Sequence, residues 1–213
     1  MQQLNFLDSQ DASVQLTPQI IDIPDASVIF YEQFFSAIDS EHIYSELLNQ
    51  TPWRQDSITL FGKTMLVPRL TAWHGDPGKS YTYSGITMEP EPWTPTLMMI
   101  KNAIESVCGV SFNSVLINLY RDGNDSVAWH SDDEPELGEN PLLASVSFGA
   151  TRRFAFKHKR NPHLRVSFDL SAGSLLIMGG ATQHYWFHQV PKTSRNVAPR
   201  INLTFRIIKT FLN

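Results

Sequence analysis

The chain has 213 residues, of which 42% are hydrophobic and 18% are charged, a composition that is typical of a globular protein and excludes intrinsic disorder. A single cysteine, Cys108, excludes a disulfide scaffold and any cysteine-based zinc site. The net charge of -4 excludes a uniformly basic protein, although a local basic face could still bind nucleic acid. Neither an apolar run of membrane-spanning length nor a secretory signal is visible, so we expect no membrane partner.

The first half of the chain predicts two helices. Residues 1–27 are polar with scattered apolar positions and are expected to form an N-terminal arm, ahead of a single domain over residues 28–213. Apolar residues on one face predict a helix over Ser40–Gln50, with Ser40 as its start. A second helix is predicted between Thr94, a suitable N-cap, and Gly109, a suitable C-terminal stop.

From Ser111 onward the pattern changes to strands. Short runs rich in β-branched and aromatic residues are separated by Gly, Pro, Asn and Asp. These runs are Phe112–Tyr120, Leu142–Phe148, Arg153–Lys157, Val166–Leu170, Ser174–Met178 and Arg200–Ile208. Helices followed by many strands predict an α+β fold that is mainly β, with the N-terminal helices packed on one sheet of a sandwich or jelly roll.

Charge is segregated along the second half of the chain. Seven acidic residues and no Lys or Arg lie from Asp122 to Glu139, and six Lys or Arg residues and no acidic residue lie from Arg152 to Arg165. Either run alone is typical of a solvated loop. Together they allow a metal-binding segment and an anion-binding strip in one domain.

His130 and Asp132 are separated by one residue and could bind one metal ion. In an extended segment, residues two apart point to the same face, although this short pattern also arises by chance in loops. His184 and His188 share one parity of an extended QHYWFHQ segment, so spacing does not choose between them as a third ligand. Two histidines, one carboxylate and open positions are the ligand set of non-haem Fe(II) oxygenases.

The segment from Arg200 to Arg206 alternates strictly between polar and apolar residues. Its apolar face belongs in the core, and its polar face consists of Arg200, Asn202, Thr204 and Arg206. Two buried guanidinium groups are costly unless an anion pairs with them, and a dicarboxylate such as 2-oxoglutarate could satisfy both. The alternative is an edge strand whose arginine head groups reach water. Asn118 and Tyr120 repeat the two-residue spacing and could add donors.

Over roughly residues 28–209 the sequence resembles the AlkB family of Fe(II)/2-oxoglutarate-dependent nucleic-acid dealkylases. The resemblance is carried by NLYRDG (118–123), WHSDDEPELG (129–138), ASVSFGATRRF (144–154), GSLLIMGGATQ (173–183), HQVP (188–191) and APRINLTFR (198–206). It is greatest to the members that repair 1-methyladenine and 3-methylcytosine. The resemblance implies a double-stranded β-helix, which is a jelly roll, and it implies Fe(II), 2-oxoglutarate and O2 as cofactors, with ascorbate as the reductant in vitro.

The resemblance also assigns residues to the cofactors. It implies a metal bound by His130, Asp132 and His188, and thereby prefers His188 to His184. The implied 2-oxoglutarate residues are Asn118, Tyr120, Arg200, Asn202 and Arg206. Arg200 with Tyr120 is expected at the far carboxylate, and Arg206 with Asn118 nearer the iron.

The base pocket implied by the resemblance contains Tyr81, Tyr83 and Ser84. An alkylated base must leave the stack to reach the metal, and Tyr83 is expected to stack on it opposite His130. An acid should favour the cationic 1-methyladenine and 3-methylcytosine. Asp133 is the first candidate and Glu134 the second, although either could be a solvated acid of a turn.

Other residues are expected to contact the nucleic acid outside the pocket. Phe61 matches the tip of a hairpin that inserts an aromatic side chain in duplex-preferring relatives, and its alternative is a partly exposed core residue. Candidate phosphate contacts are Arg69, Arg152, Lys157, Lys159 and Lys192, each of which could also be an ordinary surface cation.

The expected activity is oxidative demethylation of N-alkylated bases in DNA, with release of formaldehyde and succinate. RNA stays open as a substrate, as does another 2-oxoglutarate oxygenase activity on an RNA mark or a protein side chain. A non-catalytic jelly roll that binds metal is the alternative of another class, which the paired arginines disfavour. We expect a monomer, located in the cytoplasm of a bacterium or the nucleus of a eukaryote.

Overall fold

The computed structural model describes residues 17–60, 63–79, 81–83 and 86–209. This part of the chain contains fifteen strands and three α-helices. The helices are α1 (Ala37–Gln50), α2 (Pro95–Cys108) and α3 (Thr182–Tyr185). The strands are β1 (Gln19–Ile20), β2 (Ser27–Tyr31), β3 (Ser57–Leu60), β4 (Lys63–Leu66), β5 (Leu70–Gly75), β6 (Tyr81–Tyr83), β7 (Ile86–Met88), β8 (Ser114–Tyr120), β9 (Val127–His130), β10 (Leu143–Gly149), β11 (Arg152–His158), β12 (Arg165–Leu170), β13 (Leu175–Gly179), β14 (Trp186–Val190) and β15 (Arg200–Arg206). None of the described helices is both long and apolar enough to span a membrane.

Two antiparallel sheets form the body of the molecule. The major sheet has the strand order β1-β2-β13-β10-β15-β8-β5, and the minor sheet has the order β12-β11-β14-β9. The hairpins β3-β4 and β6-β7 form two further small sheets. Apart from the pairs β1-β2 and β11-β12, neighbouring strands of both main sheets come from distant parts of the chain, as expected for a mainly β jelly roll.

Apolar side chains are buried in two layers. In the first, Ile43 of α1 and Ile100 of α2 pack against the outer face of the major sheet, where Leu203 and Phe205 of β15 are fully buried. The second layer lies between the sheets and is formed by Phe30, Tyr120, Phe156, Leu176, Trp186 and other residues of both. The predicted packing of helices on one sheet is therefore confirmed.

Helix α2 begins and ends where the sequence predicts. The Thr94 hydroxyl accepts a hydrogen bond from Leu97 N, and Gly109 adopts a left-handed conformation with φ of 67°. The predicted start of α1 is wrong, because Ser36 caps that helix by accepting from Asp39 N at 3.1 Å. Ser40 instead lies inside the first turns and is buried.

The order of helices and strands also differs from the prediction. Seven strands precede α2, and β1 pairs with β2, so residues 19–20 of the predicted arm join the edge of the major sheet. These strands are two to six residues long. So short a run gives too few alternations to reveal a strand period.

Candidate metal centre and co-substrate cavity

A cavity lies between the two sheets. Strands β8, β10, β13 and β15 of the major sheet and β9, β11 and β14 of the minor sheet line it, so neither sheet alone forms it. Its wall consists of Arg69, Leu116, Asn118, Tyr120, Val127, His130, Asp132, Ser145, Phe154, Met178, His188, Val190, Asn202, Thr204 and Arg206. Most of the predicted metal and 2-oxoglutarate residues thus meet in one place.

Three side chains in this cavity can hold a metal ion. One potential ligand atom from each of His130, Asp132 and His188 lies within 4.8 Å of the other two. Strands β9 and β14 place the histidines directly opposite each other, with ring centroids 4.2 Å apart. The Nδ1 atom of His130 is hydrogen-bonded to Ala128 O at 2.8 Å, and its Nε2 lies 3.9 Å from Asp132 Oδ1.

Asp132 follows β9 and is held by two contacts. Its backbone N–H donates to Gln183 Oε1 at 3.0 Å, and its Oδ2 accepts from Arg206 Nη2 at 2.8 Å. Burial raises the pKa of this carboxyl, but Arg206, with smaller effects of the two histidines, outweighs burial and lowers the pKa to about 2. Asp132 is therefore ionised at neutral pH, and its buried Oδ1 makes no hydrogen bond to any described residue.

His188 is buried beneath aromatic rings. Its ring stacks on Phe154 with centroids 5.4 Å apart, and its Nδ1 finds no hydrogen-bond partner in the part of the chain that the structure describes. Burial, followed by the charge of His130, lowers its pKa to about 3, so it is neutral at physiological pH. Neutral imidazole is the metal-binding form, and two such rings with one open carboxylate oxygen suit Fe(II).

His184 does not join this group. The chain forms the helical turn α3 over Thr182–Tyr185, and β14 begins only at Trp186. The alternation that relates His184 to His188 in an extended segment therefore does not apply, and His184 is exposed.

The two arginines of β15 are buried at the centre of the major sheet. Strand β15 lies between β10 and β8, so the alternative of an edge strand with arginines in water is wrong. Arg200 is 1% exposed, lies 5.3 Å from the Tyr120 ring centroid and donates to Ser147 Oγ at 2.9 Å. Burial is the main effect on Arg200 and lowers its pKa to about 10, so it remains a cation at neutral pH.

No carboxylate of the described residues pairs with Arg200, and its buried Nε and Nη1 make no hydrogen bond. A buried cation with open donors suits the far carboxylate of a small dicarboxylic acid, because a guanidinium presents a planar fork to such a group. The residues present thus fit 2-oxoglutarate as well as iron.

Asn118 and Asn202 lie opposite each other on β8 and β15. Asn202 Nδ2 donates to Ser145 Oγ at 2.8 Å and to Val146 O at 3.0 Å. Asn118 Oδ1 accepts from Arg69 Nε at 2.7 Å. Arg69 is 6% exposed and lines the cavity, so it lies inside the site rather than on a phosphate-binding surface.

Arg152 is a correction to the predicted phosphate contacts. It is 4% exposed, and its guanidinium donates to the backbone oxygens of Asp122, Asp125 and Pro191 at 2.8–3.0 Å. The side chain therefore ties three backbone segments together, and burial removes it from any external phosphate. Lys157 and Lys159 are half-buried at the surface, and Lys192 is exposed.

The structure describes only part of the predicted base pocket. Tyr81 and Tyr83 belong to β6, but their side chains lie outside the described part, as do Ser84 and Phe61 as whole residues. Asp133 is exposed and pairs with Lys159 Nζ at 3.0 Å, so it is turned towards that lysine.

Glu134, the second candidate acid, is half-buried, and its Oε2 is shielded from solvent. Asp132 and Asp133 are neighbours in the chain, and the inward direction of Asp132 turns Asp133 outward. The two candidate acids, Asp133 and Glu134, thus follow the metal ligand Asp132 in the chain, and the Asp133 side chain lies on the outer side.

Gln183 is a site residue that the sequence did not predict. It is fully buried, and its side chain accepts from the backbone of a metal ligand 51 residues away. It belongs to the GGATQ segment that carries the family resemblance, but neither spacing nor periodicity connects it to Asp132.

Known proteins resemble this chain over most of its length. The model of the 2OG-Fe(II) oxygenase superfamily matches residues 27–206. A bovine protein named alpha-ketoglutarate-dependent dioxygenase alkB homolog 3 is 49% identical over 184 residues, which are 82% of this chain and 64% of that protein. The human DNA oxidative demethylase ALKBH2 is 42% identical over 188 residues, 84% of this chain and 72% of that protein.

A solved structure described as that of OsALKBH1 covers 90% of this chain, with a TM-score of 0.60 and 18% identity, which supports the fold alone. This chain spans slightly less than two thirds of the length of the bovine, human, mouse and rat proteins named alkB homolog 3.

Proposed function

Because this chain belongs to the 2OG-Fe(II) oxygenase superfamily and, within it, to the AlkB family, we propose that it oxidatively removes alkyl groups from nucleic-acid bases. The observation that carries the proposal is the group His130, Asp132 and His188 in one cavity, with Arg200 buried nearby and paired with no carboxylate of the described residues. The names of the similar proteins, which include a DNA oxidative demethylase, support the substrate class.

The residues of the cavity would perform distinct tasks. His130, Asp132 and His188 would hold Fe(II), which with 2-oxoglutarate and O2 supplies the oxidation of the N-alkyl carbon. Arg200 against Tyr120 would bind the far carboxylate, and Arg206 would keep Asp132 ionised and oriented. The apolar members of the cavity wall, such as Phe154, would help to exclude water from the reacting carbon.

We propose 1-methyladenine and 3-methylcytosine in DNA as the preferred bases, with RNA as a further substrate. Both bases carry a positive charge near neutral pH, and carboxylates attract cations over neutral bases. Glu134 lies two residues after the metal ligand Asp132, is half-buried and has a shielded Oε2, which supports a cationic base at this site. Asp133 pairs with Lys159 on the outer side and would have to leave that lysine to contact a base. Hydroxylation of the methyl carbon would release formaldehyde and restore the base, while 2-oxoglutarate is converted to succinate and CO2.

The test is the release of formaldehyde and restored base from a 3-methylcytosine oligonucleotide, single-stranded and duplex, with Fe(II), ascorbate and 2-oxoglutarate. We expect repair by the wild type and none by His130→Ala. The change in the ratio of single-strand to duplex repair between the wild type and Phe61→Ala measures how far Phe61 serves the duplex, since a wedge is needed only where a base leaves a stack. An RNA oligonucleotide with the same mark gives the DNA-to-RNA preference.

Two outcomes would contradict this function. Succinate formed above the His130→Ala background without repair would indicate an oxygenase of another substrate. Neither product, with iron bound at the cavity, would indicate a jelly roll that only binds metal.

A further inference from the structure

The outer face of the minor sheet carries cations and aromatic rings in a row. Lys157 of β11 lies opposite Arg165 of β12 on one side and opposite Phe187 of β14 on the other. Trp129 of β9 reaches the same lysine. We call Trp129, Lys157, Arg165 and Phe187 the outer strip.

Lys157 is held by rings and not by a carboxylate. Its Nζ lies 4.8 Å from the Trp129 ring centroid and 5.6 Å from that of Phe187. Among the described residues no acidic side chain lies within ion-pair distance of it. Ring faces attract and orient an ammonium group but do not neutralise it, so its charge stays available to an anion.

A second cation lies opposite Lys157 and likewise has no acidic partner among the described residues. Arg165 is exposed, donates to Pro162 O at 3.1 Å and has no carboxylate partner in the described part of the chain. Like charges directly opposite on neighbouring strands destabilise a sheet. A bound phosphate would remove that repulsion and meet both donors.

Other cations of the same sheet are already neutralised. Arg153 pairs with Asp169 at 2.7 Å on the same outer face, and Lys159 pairs with Asp133 at 3.0 Å. Arg152 points inward, and its guanidinium donates hydrogen bonds to backbone oxygens. The structure thus distinguishes cations that can bind an anion from cations that are already paired. The sequence, in which these cations form one cluster, does not make that distinction.

The outer strip lies on the same strands as the metal ligands but on the other face. Phe187 precedes the metal-site residue His188, and Trp129 precedes His130. Because β9 is an edge strand of the minor sheet, a nucleic-acid strand can pass round it from the outer strip to the cavity. Cations interleaved with aromatic rings are typical of surfaces that bind single strands.

We propose that the outer strip binds the sugar-phosphate backbone of the single-stranded segment beside the target base, with Lys157 and Arg165 as its phosphate contacts. This inference rests on the proposed function for the identity of the polymer. It adds a binding surface outside the cavity and assigns it to the single strand.

The test is binding of an undamaged, fluorescein-labelled oligothymidylate of 20 nucleotides to the full chain, measured by fluorescence anisotropy at several salt concentrations. Each phosphate contact on a single strand contributes about 0.7 to the slope of log Kd against log salt. We expect Lys157→Gln to weaken binding several-fold and to reduce that slope by about 0.7, and the double variant with Arg165→Gln to reduce it by about 1.4.

Arg153→Gln is the matched control, because it removes the same charge from the same sheet face but from a cation that Asp169 neutralises. We expect its slope to equal that of the wild type. Trp129→Leu keeps the lysine charge and removes its ring, so it should weaken binding while the slope stays unchanged. Thermal melting of each variant verifies the fold.

The outer strip is not a phosphate site if Lys157→Gln keeps the wild-type slope, or if Arg153→Gln lowers the slope equally. Loss of binding to duplex DNA alone would also overturn the assignment to a single strand. These results are distinct from failure of the proposed function, because the assay needs no turnover. A wild type that binds oligothymidylate through Lys157 but repairs nothing contradicts only the function, and a wild type that repairs DNA without needing Lys157 for binding contradicts only this inference.

Discussion

Gln183 controls a metal ligand through the backbone. Its Oε1 accepts the N–H of Asp132, and its Nε2 lies 3.8 Å from Met178 Sδ. Replacement by the similarly sized methionine removes the acceptor and leaves the Asp132 N–H buried without a partner. We expect Gln183→Met to weaken Fe(II) binding by about 10- to 100-fold, which is the usual effect of losing a group that orients a ligand. Isothermal titration with Fe(II) under anaerobic conditions measures this change.

Thr182→Val is the control for Gln183→Met. Thr182 is equally buried, but its hydroxyl contacts Gly179 O and residue Ser27 instead of the metal ligands. It should lower the free energy of unfolding without changing the affinity for Fe(II). Equal losses of metal affinity in both variants would show that Gln183 acts through general packing.

Arg200 is a buried cation for which the described residues supply no carboxylate. Taking a guanidinium out of water costs free energy that a bound dicarboxylate would offset. Arg200→Met should therefore leave the ligand-free protein as stable as the wild type or more stable, while the Kd for 2-oxoglutarate rises about 100-fold, equivalent to roughly 3 kcal/mol. Urea unfolding and titration with 2-oxoglutarate measure the two effects separately.

Arg200→Lys refines the same prediction. A lysine keeps the charge but loses the planar fork, so the Kd for 2-oxoglutarate should lie between those of the wild type and Arg200→Met. An Arg200→Met protein that is several kcal/mol less stable than the wild type, with unchanged affinity for 2-oxoglutarate, would mean that the guanidinium serves the fold instead.

Helix α2 shows how a local sequence signal becomes a measurable stability at the scale of an element. Its Thr94 hydroxyl accepts from Leu97 N at 3.2 Å, while Ile100 and Ile104 bury the apolar face of the helix. Thr94→Ala should lower the free energy of unfolding by about 1 kcal/mol, because one N–H at the helix start loses its acceptor. Thr94→Ser keeps the oxygen and should change it by much less. Equal losses in both variants would assign the effect to the threonine methyl group.

The elements that the sequence predicts correctly are those whose signals are local. α2 carries its cap, its apolar stripe and its glycine stop within 16 residues, and β15 shows seven residues of strict alternation. α1 has a competing serine four residues before the predicted start, and only the bond between Ser36 and Asp39 decides between them.

The residues of the metal site likewise divide into those with a local sequence signal and those without one. The spacing of His130 and Asp132 is local, and the chain brings them together as expected. The choice of His188 over His184 depends on the helical turn α3, which interrupts the extended segment and is not visible as a period in the sequence. Gln183 and the pairing of Arg206 with Asp132 need strands that are distant in sequence to be adjacent in space, and no local pattern encodes that adjacency.

At the scale of the whole molecule, the candidate site joins the two sheets. The major sheet contributes Arg200 and Arg206 through β15, and the minor sheet contributes His130 and His188 through β9 and β14. A ligand that binds only this assembled site stabilises the folded protein by about 2.7 kcal/mol at one hundred times its Kd. This stabilisation against local opening should be largest in a strand that opens easily and also carries a ligand of the site.

The two edge strands of the minor sheet allow this idea to be tested within one molecule. Among the strands that the structure describes, β9 pairs with β14 alone and ends at a metal ligand, whereas β12 pairs with β11 alone and contributes no ligand. Edge strands with exposed residues open locally, so their amides exchange with solvent hydrogen early. Fe(II) with 2-oxoglutarate in the absence of O2 should slow exchange in Val127–His130 markedly and leave Arg165–Leu170 nearly unchanged.

Hydrogen-exchange mass spectrometry with and without the two ligands gives this comparison. The physical reason for the difference is that opening β9 would separate His130 from Asp132 and His188, so the ligands disfavour that opening by their full binding free energy. β12 can open without disturbing the site, and the ligands have no differential affinity for its two states. Equal protection of β9 and β12 from hydrogen exchange would show that the ligands act on global stability alone. Protection of neither strand would show that the metal site forms without holding the two sheets together.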